Sequence, residues 1–308
     1  MRGVRPMPLD LRPLTLAELL DRSFSTYKRH FWLFAGIMAV PAAFAMIMAV
    51  LLRIVRTPIG PNATPDKILL VVLPAAVALT LFGVVYMVVY MYALGATSIA
   101  VSELYLGRDT TVGGAYRRVR PLGGRLLLLI IWTFLSIAGG CLVVGAVAVG
   151  FAMFLALISR VLAVLVAPLA FLGVLVVAVL MSVRFGVSVP ALVIEGVPAS
   201  TALKRSIELT RDNMGRVFLI ILCATVIAYA TSLLFTGPFS LAALAVGPTT
   251  KLALLLNVAG AISGAIGGMI SGPVMIIGLA MMYYDLRIRK EALDLELLLA
   301  NVDAPGVS

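Results

Sequence analysis

The chain has 308 residues, 62% of them hydrophobic and only 12% charged, with a mean hydropathy of +1.12. A soluble globular domain carries about 25% charged residues, so this composition excludes a water-soluble fold and points to an all-α integral membrane protein. The net charge of +10 would suit nucleic acid, but the bases sit at the ends of apolar runs. Membrane topology and anionic lipid account for them there, and no nucleic-acid partner is expected.

Residues 1–13 hold three Arg and three Pro and read as an irregular lead-in. The stretch that follows, TLAELLDRSFSTYKRHFWLF, opens with Thr15 and Glu18 at capping-box spacing, and Leu14 and Leu19 staple the same end. Leu16, Leu19, Leu20, Phe24, Tyr27 and Phe31 share one face, and Arg22, Lys28 and Arg29 supply positive charge. This is the pattern of an amphipathic helix over about 15–30 lying on a membrane surface. It leads directly into a first span, Phe31 to about Leu52.

A proline-rich loop at 53–66 precedes a second span from Lys67 to about Leu106. At 1.5 Å per residue that span measures roughly 60 Å, twice the hydrocarbon core, so its end is expected to project into the cytoplasm. Next comes a second surface segment, 109–124, with Val112, Ala115, Tyr116 and Val119 on one face and Arg117 and Arg118 beside them. A third span (125–158) and a fourth (161–194) follow, the fourth with Pro168 and Pro190 as kink positions. The segment 198–218 is the third surface helix. Pro198 opens it, Ala199, Ala202, Leu203, Ser206, Ile207 and Met214 form its apolar face, and Lys204, Arg205 and Arg211 its charge. A fifth span runs to Phe235, a loop follows over 236–250, and a sixth span ends near Tyr284 before a tail at 285–308.

The surface segments repeat. Arg22-Ser23 recurs as Arg205-Ser206, Lys28 as Arg211 in the same register, and Arg22 as Arg117. The chain therefore reads as one membrane domain of three units (14–106, 109–194, 198–284) with a cytoplasmic tail. That architecture is six transmembrane helices in three hairpins, each preceded by an interfacial amphipathic helix. Only Arg53, Arg56, Lys67, Arg160 and Lys251 fall on the side opposite to the surface segments. The positive-inside rule then places both termini in the cytoplasm.

Few residues suggest chemistry. Gly260, Gly264, Gly268 and Gly272 recur every four residues, with Asn257 near the same face, which suits close helix packing. The alternative is a flexible gate beside a pathway, helped by Pro273. Arg184 and Glu195 are candidate intramembrane charges. Arg184 either anchors at the interface or pairs with Glu103, Glu195 or Asp285. His30 is the single histidine and sits beside Phe31 and Trp32, in keeping with an aromatic belt. Cys141 and Cys223 lie in apolar spans as small packing residues. The sequence shows no metal-ligand spacing, phosphate loop or nucleophile motif, so no cofactor and no catalytic residue is expected.

Four stretches carry a family likeness: LRPLTLAELLDRSFSTYKRHF, PALVIEGVPASTALKRSIELT, NMGRVFLIIL and YYDLRIRKEALDLE. Together they resemble the membrane domain of bacterial glycerophosphoryl diester phosphodiesterases, a family with many stand-alone integral membrane members. The resemblance implies a helical bundle in the bacterial cytoplasmic (inner) membrane. Fused members carry a soluble barrel that hydrolyses with metal-binding acids and histidines, residues this chain does not show, so the resemblance implies no phosphodiesterase activity. The expected role is a non-enzymatic, lipid-interacting scaffold or accessory subunit. Its partners would be anionic membrane lipids and a cytoplasmic or membrane protein, with Arg22, Lys28, Arg29, Arg117, Arg118, Lys204, Arg205 and Arg211 as contacts. A transporter or lipid translocator is the alternative, and a lipid hydrolase ranks third.

Overall fold

A computed structural model describes residues 14–54, 65–247 and 250–291. These residues form helices joined by short connections, with no strand among them. In order the helices are α1 (Leu16–Arg29), α2 (Phe31–Ile54), α3 (Pro65–Tyr105), α4 (Val112–Val119), α5 (Gly123–Ala156), α6 (Arg160–Phe185), α7 (Ser188–Glu195), α8 (Ala199–Thr210), α9 (Met214–Ala245) and α10 (Lys251–Glu291). A single 3₁₀ turn at Arg120–Leu122 links α4 to α5.

Six of these, α2, α3, α5, α6, α9 and α10, carry stretches long and apolar enough to cross a membrane. They leave large apolar side chains uncovered, such as Leu142 (72% exposed) and Phe171 (70%). Bare hydrocarbon on this scale does not persist in water, and helices satisfy their own backbone polar groups in lipid. The chain is a multi-pass membrane protein.

Local sequence explains the short helices. Thr15 caps α1: its hydroxyl accepts from the Glu18 amide, and the Glu18 carboxylate accepts from the Thr15 amide in return, at 2.8 Å. Thr111 caps α4 through the Gly114 amide. Gly196, at φ 67°, closes α7 in the left-handed conformation that favours glycine.

Three boundaries differ from those the sequence suggests. The fourth apolar run is two helices, α6 and α7, because the chain breaks at Gly186 and Val187. Pro190 falls in the first turn of α7, where its missing N–H costs no helical bond, and so it kinks nothing. The fifth span does not stop at Phe235. α9 continues through Gly237 and Pro238 to Ala245, as membrane helices tolerate when neighbouring groups and local backbone adjustment satisfy what the proline frees. The polar start of the tail is the last part of α10, which runs unbroken to Glu291. The lead-in 1–13, the greater part of the proline-rich loop (55–64) and the tail beyond 291 lie outside the described residues.

The described chain groups into two compact units. Unit 1 comprises Thr15–Pro121 and Ile220–Gly278, hence α1 to α4, most of α9 and the first part of α10. Within it the Tyr116 hydroxyl donates to the Ile37 carbonyl (2.7 Å) and the Tyr27 hydroxyl to that of Ile270 (2.6 Å). Gly36 allows α4 to approach α2, because a Cβ there would stand 2.9 Å from a methyl of Val112. Unit 2 comprises Leu14, Leu122–Leu219 and 279–291. Here α5 and α6 lie along each other, with Gly140 against Val177 and Gly173 against Val144. The Ser206 hydroxyl of α8 donates to the Arg184 carbonyl at the end of α6 (2.7 Å).

Candidate functional site

Two assemblies of polar or open structure stand out, one in each unit. The first, in unit 2, is a lattice of ion pairs at the end of α10. Asp285, whose side chain is fully buried, accepts from Arg216 (3.1 Å) and Arg289 (2.9 Å) and from the Leu14 amide (2.8 Å). Both arginines also donate to the Leu14 carbonyl, at 2.7 and 2.6 Å. One residue of chain is thereby held through both its backbone groups. Beside this, Glu195 accepts from the Tyr283 hydroxyl (2.5 Å) and from Arg205 (3.2 Å), with Arg287 at 3.9 Å. Glu291 in turn meets Arg205 and Arg287. Burial acts to lower the pKa of the Arg205 guanidinium, but the carboxylates of Glu195 and Glu291 outweigh it and raise the value above the ordinary one. The arrangement fixes helix ends, since every charge in it faces an opposite charge or a hydrogen-bonding group.

This lattice answers the question posed by Arg184 and Glu195. Glu195 is bound by Arg205 of α8 and by α10. Arg184 is exposed at the end of α6, and its backbone carbonyl, rather than its guanidinium, takes part in packing. Arg184→Leu is accordingly expected to shift stability by no more than about 0.5 kcal/mol, measured as the thermal midpoint of the purified protein. A large loss would show that its charge is paired.

The repeat can be tested by burial. Leu19, Ser23 and Thr26 are buried on α1, and the residues aligned with them on α8, Ala202, Ser206 and Leu209, are buried too. On α4 the buried pair is Ala115 and Val119, which shifts the middle copy by one residue and aligns Arg22 with Arg118 rather than Arg117. Arg118 pairs with Glu103 at the end of α3, as Arg205 pairs with Glu195 at the end of α7. Lys28, Arg29, Arg117, Lys204 and Arg211 are exposed, and Arg22 is half-buried. Partial burial and the neighbouring Arg29 lower the pKa of His30, against the opposing pull of Asp109.

The second assembly is a half-open cavity of about 460 Å³ in unit 1, lined by α2, α3, α9 and α10. Met38, Pro41, Ala42, Ala45, Met46 and Ala49 of α2 form one wall, and Tyr86 and Tyr90 of α3, stacked at 5.9 Å, form another. Thr236 and the glycine row of α10 complete it. Its few polar groups are the two tyrosines, Thr236 and Ser271, and the Ser271 hydroxyl is turned back to the Gly267 carbonyl (3.0 Å).

The glycine row divides between two tasks. A Cβ on Gly260 would meet the Phe239 Cβ at 3.1 Å, and one on Gly264 the Thr236 hydroxyl at 2.8 Å. Gly267, outside the four-residue spacing, meets Phe235 at 3.1 Å. These three accept α9. A Cβ on Gly268 meets nothing within 4 Å, and one on Gly272 only Met38 at 3.6 Å. A step of four residues overshoots the 3.6-residue turn by about 40°, so the row rotates away from α9 and into the cavity. Asn257 donates to the Ala253 carbonyl of its own helix (2.8 Å).

Sequence reading pointed to neither the cavity tyrosines nor Arg216, Arg287 and Arg289 as site residues. The spacing of Asp285 with Arg289 and of Arg287 with Glu291, four residues apart in each case, was the available signal for the lattice. Among the described residues, no three His, Cys, Asp or Glu side chains gather as a metal-binding group. Residues 31–286 match the family DUF7847, described as a domain of unknown function. No curated protein and no solved structure matches the chain.

Proposed function

We propose that this chain, which belongs to the DUF7847 family, is a non-enzymatic membrane protein that holds the hydrocarbon chain of a lipid in the unit 1 cavity. It would serve as a lipid-interacting scaffold or accessory subunit. The observation that carries this reading is the cavity itself. Its volume of about 460 Å³ falls within the range of small-molecule sites, roughly 300–1,000 Å³, and its walls are apolar with a few hydroxyls, as such sites are. It lies among helices whose outer faces are hydrocarbon-compatible, so the ligand in greatest supply is lipid.

In this reading α2/α3, α5/α6 and α9/α10 are three hairpins, and α1, α4 and α8 are the interfacial helices that precede them. Their exposed bases face the anionic, cytoplasmic leaflet of the inner membrane, with both termini on that side. A cytoplasmic protein partner would meet the same basic surface. The glycine row beside the cavity also suits a lipid translocator, and flux of labelled lipid across reconstituted vesicles separates that second reading from a static site.

Gly268 suits the test, because it borders the cavity and a Cβ added there meets nothing within 4 Å. The protein is extracted into native lipid discs and its retained lipid measured by mass spectrometry. Gly268→Leu should keep the wild-type thermal midpoint and lose retained lipid severalfold. Equal retention by the two proteins would overturn the assignment.

A further inference from the structure

We infer that the face of α4 formed by Gly113, Arg117 and Arg120, together with Tyr92 of α3, binds a phosphate group, and that the phosphate is that of an anionic lipid headgroup. Gly113, Arg117 and Arg120 are spaced four and three residues apart, so they share one side of the helix and its following turn. With Tyr92 and Tyr116 they border a shallow, open recess of about 380 Å³, whose lining shares no residue with the apolar cavity.

The charges in this segment are not equivalent. Arg118 is committed to Glu103. Arg117 and Arg120 are exposed and, among the described residues, meet no carboxylate. Two unneutralised guanidinium groups therefore border one recess, and Gly113 leaves it open, since a Cβ there would meet nothing within 4 Å. The planar fork of arginine donates two parallel hydrogen bonds to a phosphate, and two forks with a phenol suit a tetrahedral oxyanion better than a planar carboxylate. The Tyr116 hydroxyl is spent on the Ile37 carbonyl, which holds the wall in place. Among the described residues neither guanidinium bonds another element, so both are free to meet a ligand at the membrane surface.

This inference rests on the reading that the chain handles lipid, but its site is distinct from the cavity and can fail alone. The full chain is placed in discs of phosphatidylcholine with and without phosphatidylglycerol, and the lipid it retains is counted by native mass spectrometry. The Arg117→Gln/Arg120→Gln double variant should retain phosphatidylglycerol about thirtyfold less well than wild type, as expected for two surface arginines at an anionic lipid. It should hold phosphatidylcholine unchanged. The Arg117→Lys/Arg120→Lys variant, which keeps charge but not the fork, should fall between them. Gly268→Leu should keep the phosphatidylglycerol preference even where it lowers total lipid, which separates this site from the cavity. Saturable binding of inorganic phosphate in phosphatidylcholine discs, lost in the Gln variant, would keep the site and make free phosphate its ligand. Equal phosphatidylglycerol retention by wild type and a correctly folded Gln variant would overturn the proposal.

Discussion

Asp285→Ala is expected to be the most destabilising single change in unit 2, at about 3–5 kcal/mol. The wild-type carboxylate is fully buried and stands against two arginines and one amide. Removing it does more than delete three hydrogen bonds. It leaves the Arg216 and Arg289 guanidinium groups, about one-quarter exposed, as unbalanced charges in a poorly solvated place, and the Leu14 amide loses its acceptor. Among the described residues the Nε of Arg216 has no partner, so without Asp285 this arginine keeps only its bond to the Leu14 carbonyl. Asp285→Asn should cost less, because an amide oxygen can still accept from Leu14 while the charge balance is lost. As a contrast, Lys290 meets Asp212, which is largely exposed, and water and salt screen such pairs so that they add little to stability. Thermal unfolding in one detergent would rank the variants: a drop of about 10 °C for Asp285→Ala, less for Asp285→Asn, and little for Lys290→Ala. Equal midpoints for Asp285→Ala and Lys290→Ala would show that the lattice does not carry the fold of unit 2.

Gly264→Leu and Gly268→Leu, one helical turn apart in the same row, should give opposite results. At Gly264 the first added carbon already stands 2.8 Å from the Thr236 hydroxyl, inside any normal contact, and the rest of a leucine has to drive α9 and α10 apart. Overpacking of this kind costs about 1–3 kcal/mol, and in a membrane the loss extends to the close approach that holds the two helices together. At Gly268 the added side chain enters open space, and replacing a helical glycine also removes backbone entropy from the unfolded chain. The expected pattern is reduced yield and a lowered midpoint for Gly264→Leu, and normal yield with a blocked cavity for Gly268→Leu. A Gly268→Leu protein as damaged as Gly264→Leu would mean that the whole row packs against a neighbour and no cavity lies beside it.

These contrasts mark how far the sequence could be read. Helix content, the six apolar stretches and the cap at Thr15 were legible, because apolar length and capping spacing are local properties. The break at Gly186 was legible only as a kink position at Pro190, because a proline suits the first turn of a new helix as well as a bend in a continuous one. The continuation of α9 past Pro238 was missed because proline, which lacks an N–H and crowds the preceding turn, usually ends a helix in soluble proteins, whereas in a membrane neighbouring groups satisfy the freed carbonyl and the helix goes on. The glycine spacing was visible as a packing signal, but which glycine meets α9 and which faces the cavity depends on the rotation of the row. Arg117 and Arg118 look alike in sequence, and only the position of Glu103 tells them apart. The lattice around Asp285 unites residues far apart in the chain, and its only local trace was two ion-pair spacings near the end of α10.

The proposed occupancy of the α2, α3, α9 and α10 cavity by lipid hydrocarbon can be read residue by residue. The most direct measurement is photolabelling in native membranes with a lipid carrying a diazirine in its acyl chain, followed by peptide mapping of the labelled sites. Occupancy predicts labels on cavity residues such as Met38, Met46 and Ala265, in addition to those on outward-facing residues such as Leu142 and Phe171, and loss of the cavity labels alone in Gly268→Leu. Labelling confined to the outward faces, with the cavity residues unmarked in the wild type, would contradict it.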